Sequence, residues 1–280
     1  MPGRSAPRLA RKEVPRMTMP SQPSSSRPPV QAALFVTCLV DLFRPQVGFA
    51  AVKLLEEAGC EVAVPPSQTC CGQPAYNSGD RADAKAIAQQ VIAAFEHYAY
   101  IVVPSGSCAG MLCKHYPSLF DPETEPSWHA RASAFASRVF ELTAFLADVL
   151  GVDFAGRAYP RSVTYHDSCS SFREMGVATQ PRKLLKSLDG IAFAEMSDRE
   201  VCCGFGGTFS IKYPDISNAM VTQKAERVTE TKAEVLTGAD LGCLMNIAGK
   251  LAREGKAVEV RHIAEILAGE CQEPGLCEGR

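Results

Sequence analysis

A chain of 280 residues, 46% apolar and 21% charged, has the make-up of an ordinary globular protein, long enough for one large domain or two small ones. Its net charge of −2 offers nothing to nucleic acid or to an anionic membrane surface, and no apolar run nears the roughly 18 residues of a membrane span. Its twelve cysteines are too dilute for a disulfide scaffold and, with no secretory apolar core at the N-terminus, are expected in the reducing cytoplasm as metal or redox ligands.

Residues 1–31 are rich in Pro, Ser and Arg and lack an apolar period. They are expected to be a disordered extension, or the product of an early start codon, with Met17 and Met19 as alternative starts; an organelle transit peptide has the same Arg-rich, acid-poor composition. From residue 32 short apolar runs alternate with helical periods. Strands are expected at Ala32–Thr37, Glu61–Val64 and Tyr100–Val103, with helices at Val47–Ala58, Arg81–His97 and Ala132–Leu150. The order then recurs, with strands Ser162–Tyr165, Ile191–Ala194 and Glu234–Leu236, a helix around Lys183-Leu184-Leu185, a helix Pro214–Thr231 and a loop Gly238–Cys243. Val260–Ala268 echoes Val139–Ala147. Such alternation predicts an α/β fold with parallel sheets covered on both faces.

The cysteines make the recurrence measurable. Cys38 to Cys169 spans 131 residues, Cys70 to Cys202 and Cys71 to Cys203 each 132, and Cys108 to Cys243 spans 135. This is an internal duplication: a first module over 32–155, a second over 156–270 and a tail over 271–280, with a pseudo-two-fold relation between the two βαβ-rich modules. Each module has a cysteine after its first strand, an adjacent pair before a glycine, and a cysteine after its third strand. In a parallel sheet these loops gather on the carboxyl edge, so the four converge. Adjacent cysteines do not readily bond to each other, since the ideal Cα separation of about 5.5 Å exceeds the roughly 3.8 Å between neighbours. They can each ligate a different atom of one cluster, and thiolate donors of this kind suit iron–sulfur clusters or zinc. Gly72 and Gly204 let the backbone turn sharply beside such a group.

The segments PSGSCAGML (Pro104–Leu112), YHDSC (Tyr165–Cys169), CCGFGGTFS (Cys202–Ser210) and GCLMNI (Gly242–Ile247) resemble the cysteine-rich CCG-domain family over about residues 32–270. That family includes the heterodisulfide reductase B subunit, the glycolate oxidase iron–sulfur subunit and the lactate-utilization branch, which these motifs resemble most. The resemblance implies a cytoplasmic iron–sulfur protein acting with other subunits, iron–sulfur or ferredoxin-like, in a complex that oxidises L-lactate or glycolate. It implies one cluster on Cys38, Cys70, Cys71 and Cys108 and another on Cys169, Cys202, Cys203 and Cys243. The fuller family pattern closes each motif with Cys-x-x-Cys, whereas here Met111 and Asn246 stand at the fifth position and Cys113 comes two residues late. Four thiolates suit an ordinary [4Fe–4S] cube, one per iron, which favours electron relay over disulfide cleavage. The alternatives are a heterodisulfide-reductase-like catalytic subunit and a zinc-stabilised interaction protein with no redox role.

Other residues carry weaker signals. His166, with Phe35 as its counterpart, is expected either to donate a hydrogen bond near the second cluster or to pack. Arg44 and Arg173 each follow a first cysteine and are read as offsets to cluster charge or as solvated helix-start residues. Cys60 is read as a buried small hydrophobe, and Cys271 and Cys277 as an incidental exposed pair. Gly204-Phe205-Gly206-Gly207 is expected to wrap the second cluster. No Gly-x-Gly-x-x-Gly follows a strand, so no flavin or dinucleotide site is expected.

Overall fold

The structure, a computed structural model, describes residues 29–278; the extension expected over 1–31 lies outside them except at its end, where Val30 and Gln31 belong to the first strand. In chain order the first half contains β1 (Val30–Leu34), α1 (Cys38–Phe43), α2 (Pro45–Glu57), β2 (Cys60–Ala63), α3 (Gln73–Asn77), α4 (Arg81–Phe95), β3 (Tyr100–Val103), α5 (Gly106–Gly110), α6 (Tyr116–Leu119), α7 (Pro126–Ala136), β4 (Val139–Glu141) and α8 (Leu142–Ala144). Wider π-type turns at Met111–His115 and Phe145–Val149 join α5 to α6 and prolong α8. The second half contains β5 (Ser162–His166), a π-type segment at Ser170–Glu174, α9 (Thr179–Lys186), β6 (Ala192–Phe193), α10 (Phe209–Lys212), α11 (Pro214–Glu230), β7 (Val235–Gly238), α12 (Leu241–Arg253), β8 (Glu259–His262) and α13 (Ile263–Ala268).

The strands form two four-stranded parallel sheets with the same order, β2-β1-β3-β4 and β6-β5-β7-β8. This is the expected α/β architecture of two similar modules. The central strands of each sheet are buried on both faces over most of their length, which is why Ala32–Leu34 and Tyr100–Val103 read as short unbroken apolar runs. Side chains alternate, so Ala32 and Leu34 enter the core between the modules while Ala33 and Phe35 enter an outer core with Ile92, Phe95 and Phe135. Sequence local to each helix fixes its ends: Pro45 stands at the start of α2, Asp80 caps α4 by accepting from Asp83 N at 3.0 Å, and Leu241, Leu244, Ile247, Ala248 and Leu251 form the buried stripe of α12.

Two expectations are corrected. The single helix over Ala132–Leu150 is instead α7, β4 and α8: Val139–Glu141 adds a fourth strand beside β3, because the sheet edge offers unpaired backbone groups that outweigh a continuous helical period. The echo between Val139–Ala147 and Val260–Ala268 is therefore strand followed by helix in both places. The loop Gly238–Cys243 is shorter than expected, since α12 begins at Leu241 and carries Cys243 in its first turn.

One apolar core joins the halves: Leu34, Leu54, Leu142 and Phe145 pack with Tyr165, Leu184, Val235, Ile263 and Leu267. The helices are exchanged across the junction. α13 packs on α2, and the Phe145–Val149 segment packs on α9, the second-half counterpart of α2. Arg44 of the first half bonds Glu265 of the second through Nε and Nη2 at 3.0 and 2.7 Å, and Lys53 Nζ donates to Ala268 O at 3.0 Å.

Candidate metal centres

In both sheets the strand order reverses between the first and third strands of the module, leaving a crevice at their carboxyl ends. Cys38 opens α1 just beyond β1, Cys70 and Cys71 follow β2, and Cys108 lies in α5 beyond β3. Their sulfurs meet there. Cys38 Sγ lies 3.7 Å from Cys70 Sγ, and Cys71 Sγ lies 3.3 Å from Cys108 Sγ. The backbone is shaped for this. Thr37, a β-branched residue, holds φ at 73° and ψ at 143°, a conformation ordinarily left to glycine that costs about 1–3 kcal/mol and aims Cys38 into the crevice. Gly72 turns at φ +79°, and Ser105 caps α5 by accepting from Cys108 N at 3.3 Å.

The second crevice repeats the set with Cys169, Cys202, Cys203 and Cys243. All four line one cavity; Cys203 Sγ and Cys243 Sγ lie within 4.8 Å of each other, and Gly204 N donates to Cys202 Sγ at 3.4 Å. Gly204 turns at φ +82°, and a Cβ there would lie 2.6 Å from Ser217 O. Ser217 Oγ donates to Gly204 O at 2.8 Å and pins the turn to α11.

The donor chemistry suits a cationic metal group. Hydrogen bonds from Cys38 and then Cys71, with backbone N–H groups of Cys71 and Gly72 in support, hold Cys70 far below the usual thiol range, at about 3. Cys169, Cys203 and Gly204 N do the same for Cys202, at about 2. Their neighbours shift upward: Cys38 and Cys169 because each donates to that thiolate and is desolvated, Cys71 and Cys203 through thiol hydrogen bonds and burial. Four sulfurs that share protons so tightly would release them to a multivalent metal group, which takes thiolates and not thiols.

The positions of the absent fifth cysteines are occupied. Met111 is fully buried in the outer core with Cys71 and Cys108, and Asn246 Nδ2 donates to Cys203 O at 2.9 Å. Tyr116 Oη donates to Cys71 O at 3.0 Å, so the carbonyl of each adjacent pair is held by a side chain. Cys113 packs at the edge of the outer core, and burial raises its pKa.

Each crevice is walled by the opposite half. The first opens into a cavity of about 250 Å³ closed by Phe205, Ile211 and Gly242, and the second into one of about 310 Å³ closed by Gln73, Tyr76 and His115. Gln73, Ser107, Phe205, Gly207 and Asp240 border both. Asp240 accepts from Ser107 N at 2.9 Å and Ser105 Oγ at 3.4 Å, and Ser105 is its own counterpart at the mouth of the other crevice. The pseudo-two-fold axis thus passes between the sites. The Gly204–Gly207 loop, expected to wrap the second site, lines both.

Among the secondary candidates, Cys60 is buried in the shared core as expected. Cys271 and Cys277 pack half-buried against different cores and approach neither crevice. Arg44 is not a site residue, because Glu265 engages it; Arg173 donates to Glu200 O at 3.2 Å and its charge favours the Cys169 thiolate. His166 is fully buried at the end of β5, and its nitrogen, Cys203 Sγ and Cys243 Sγ lie within 4.8 Å of one another. Desolvation, and then the charge of Lys224, lowers its pKa to about 3. Sequence reading missed Lys224 and Asp240. Nothing in the local pattern separates a buried lysine on α11 from its exposed neighbours, whereas Asp240 could have been found as the counterpart of Ser105.

The family described as CCG, cysteine-rich domain, matches twice, over residues 32–113 and 163–248. Lactate utilization protein A of Oceanobacillus iheyensis is 52% identical over 238 residues, covering 85% of this chain and 96% of that one. The protein of the same name from Bacillus subtilis (strain 168) is 50% identical over 238 residues, covering 85% and 99%. The crystal structure of a hypothetical protein from Helicobacter pylori superposes with a TM-score of 0.60 at 10% identity, a likeness of fold. It covers 89% of this chain, which spans 50% of that chain's length.

Proposed function

The chain belongs to the CCG cysteine-rich-domain family, and from that premise we propose that it binds two iron–sulfur clusters and serves as an electron-transfer subunit in lactate utilization. Cys38, Cys70, Cys71 and Cys108 would hold one cluster, and Cys169, Cys202, Cys203 and Cys243 the other. The convergence of four sulfurs at each crevice, twice in one chain, is the observation that carries this reading. Four donors per site suit a [4Fe–4S] cube. When bound, such a cluster supplies a reversible one-electron oxidation and reduction.

The protein's own residues perform the rest. Thr37 and the two turn glycines aim the thiolates, and Tyr116 and Asn246 hold the carbonyls of the adjacent pairs. Phe205 and Gly207 line the space between the sites. Cys38 and Cys70 of the first site, and Cys169, Cys202 and Cys243 of the second, are half-buried, which leaves both sites open to a redox partner. The complex would oxidise L-lactate, or glycolate, in the cytoplasm, with further iron–sulfur or ferredoxin-like subunits supplying the substrate chemistry. Among the described residues no helix is long and apolar enough to cross a membrane.

Anaerobic purification with iron, acid-labile sulfide and zinc analysis, and EPR after dithionite, tests the assignment. About eight irons and eight sulfides per chain are expected, from one four-iron cube per site. Zinc without sulfide in protein never exposed to air would replace the relay with a structural role.

A further inference from the structure

The duplication is exact in its thiolates and broken beside them. His166 is buried, its Nδ1 and Nε2 have no hydrogen-bond partner among the described residues, and it lies against Cys203 and Cys243. Lys224, 1% exposed in the middle of α11, donates from Nζ to Asp198 O at 2.8 Å and Arg199 O at 3.3 Å in the loop leading to Cys202. Its charge acts on Cys169, Cys203 and Cys243. The other buried cation near this crevice, Arg182, is closed off by Asp167 and Glu195 at 2.7 and 2.6 Å.

The first site has neither group. His166 corresponds to Phe35, which likewise stands three residues before the first cysteine. The buried stripe of α4, Ala84, Ala88, Val91, Ile92 and Phe95, corresponds to Ser217, Val221, Lys224, Ala225 and Val228 of α11. The glycine turns confirm that register, since Gly72 abuts Ala84 and Ile87 where Gly204 abuts Ser217 and Met220. Lys224 therefore stands where the first module has Val91, and Phe35, Val91 and Cys71 share one apolar core.

Reduction adds negative charge to a thiolate-bound group. A buried ammonium and an imidazole stabilise that charge, whereas phenyl and isopropyl groups do not; hydrogen bonding and local charge set the potential of such sites. We propose that His166 and Lys224 make the second site the more oxidising of the two, so that the duplicated pair is a polar one with the first site as its low-potential member. This rests on the iron–sulfur reading.

The test is an anaerobic redox titration of the full chain followed by EPR, with iron and sulfide measured on the same samples. Two separate midpoints are expected, differing by at least tenfold in the one-electron equilibrium, about 59 mV. His166→Phe, or Lys224→Gln, which keeps a donor for the Asp198 carbonyl, should lower only the higher midpoint, by a similar factor. Cys202→Ser should remove that same signal. If His166→Phe fails to assemble, Phe35→His supplies the reciprocal test by raising the lower midpoint. Coincident midpoints, a shift confined to the lower one, or no shift in protein carrying its full iron would overturn the polarity and leave the cluster assignment standing. Absence of iron and sulfide from the wild type would overturn both.

Discussion

Glu141 shows how an individual side chain can couple this fold to pH. It ends β4 fully buried, and Oε2 accepts from Thr143 Oγ1 at 2.5 Å and from Ala144 N at 3.0 Å, capping α8, while Oε1 has no partner among the described residues. Burial, reinforced by the Asp240 carboxylate, pushes its pKa up to about 7 against the opposing pull of those bonds. Burial, and then the Glu141 charge, raises the pKa of Tyr165 as well. A carboxyl raised on folding contributes its stability in full below its unfolded pKa, near 4.5, and loses it as pH climbs through about 7. At about 1.36 kcal/mol per pKa unit the loss is on the order of 3 kcal/mol. Glu141→Gln should therefore gain on the wild type between pH 5 and pH 8 by up to that amount in urea unfolding. Parallel pH profiles would remove Glu141 from the account.

At the scale of elements, the contact that joins the two sites is α5 against the Ser170–Glu174 segment. Gly106 makes it possible: a Cβ there would lie 1.8 Å from Ser171 Oγ and 2.9 Å from Ser171 N. The second distance is to backbone, which cannot rotate away. Gly106→Ala should cost about 3 kcal/mol, the upper end of overpacking, and should lower the iron content of both crevices because each segment carries a site cysteine or adjoins one. Gly249→Ala is the control. It lies on α12, its Cβ would meet only Arg253 Nη1 at 3.6 Å, and it should stabilise by about 0.5–1 kcal/mol through helix entropy. Thermal unfolding of both variants, run beside the wild type, decides whether close approach or helix propensity governs Gly106.

Over the whole molecule, the exchanged helices make the halves interdependent. Glu265 of α13 is fully buried, and Arg44 at the start of α2 is 11% exposed along its side chain. Arg261 stands off at 3.9 Å, and His262 N donates to the second carboxylate oxygen at 3.0 Å. Arg44→Met would leave that carboxylate without its direct partner and should cost about 3 kcal/mol, the usual scale for breaking a buried pair from one side. Because the shared core runs through both sheets, the loss should appear as one cooperative transition displaced to lower urea, with no early melting of one half. Two separated transitions would show that the modules fold independently.

The duplication, most of the alternation of strands and helices, and the placing of cysteines after strands were readable from spacing, because a cysteine after a strand and an apolar run both leave local marks; β4 was not, since it lay inside an expected helix. Where the sequence reading went wrong, as at Ala132–Leu150, a helical period competed with a sheet edge that only the folded chain supplies. Arg44 was misplaced for the same reason, since its partner Glu265 lies at the far end of the chain. The convergence of sulfurs, the sharing of Asp240 and Ser107 between crevices, and the burial of His166 and Lys224 beside one site all depend on distances between segments remote in sequence. Composition and periodicity determine which faces must be buried; tertiary packing alone decided which polar groups were buried with them, and it placed those groups on one side of an otherwise repeated pair.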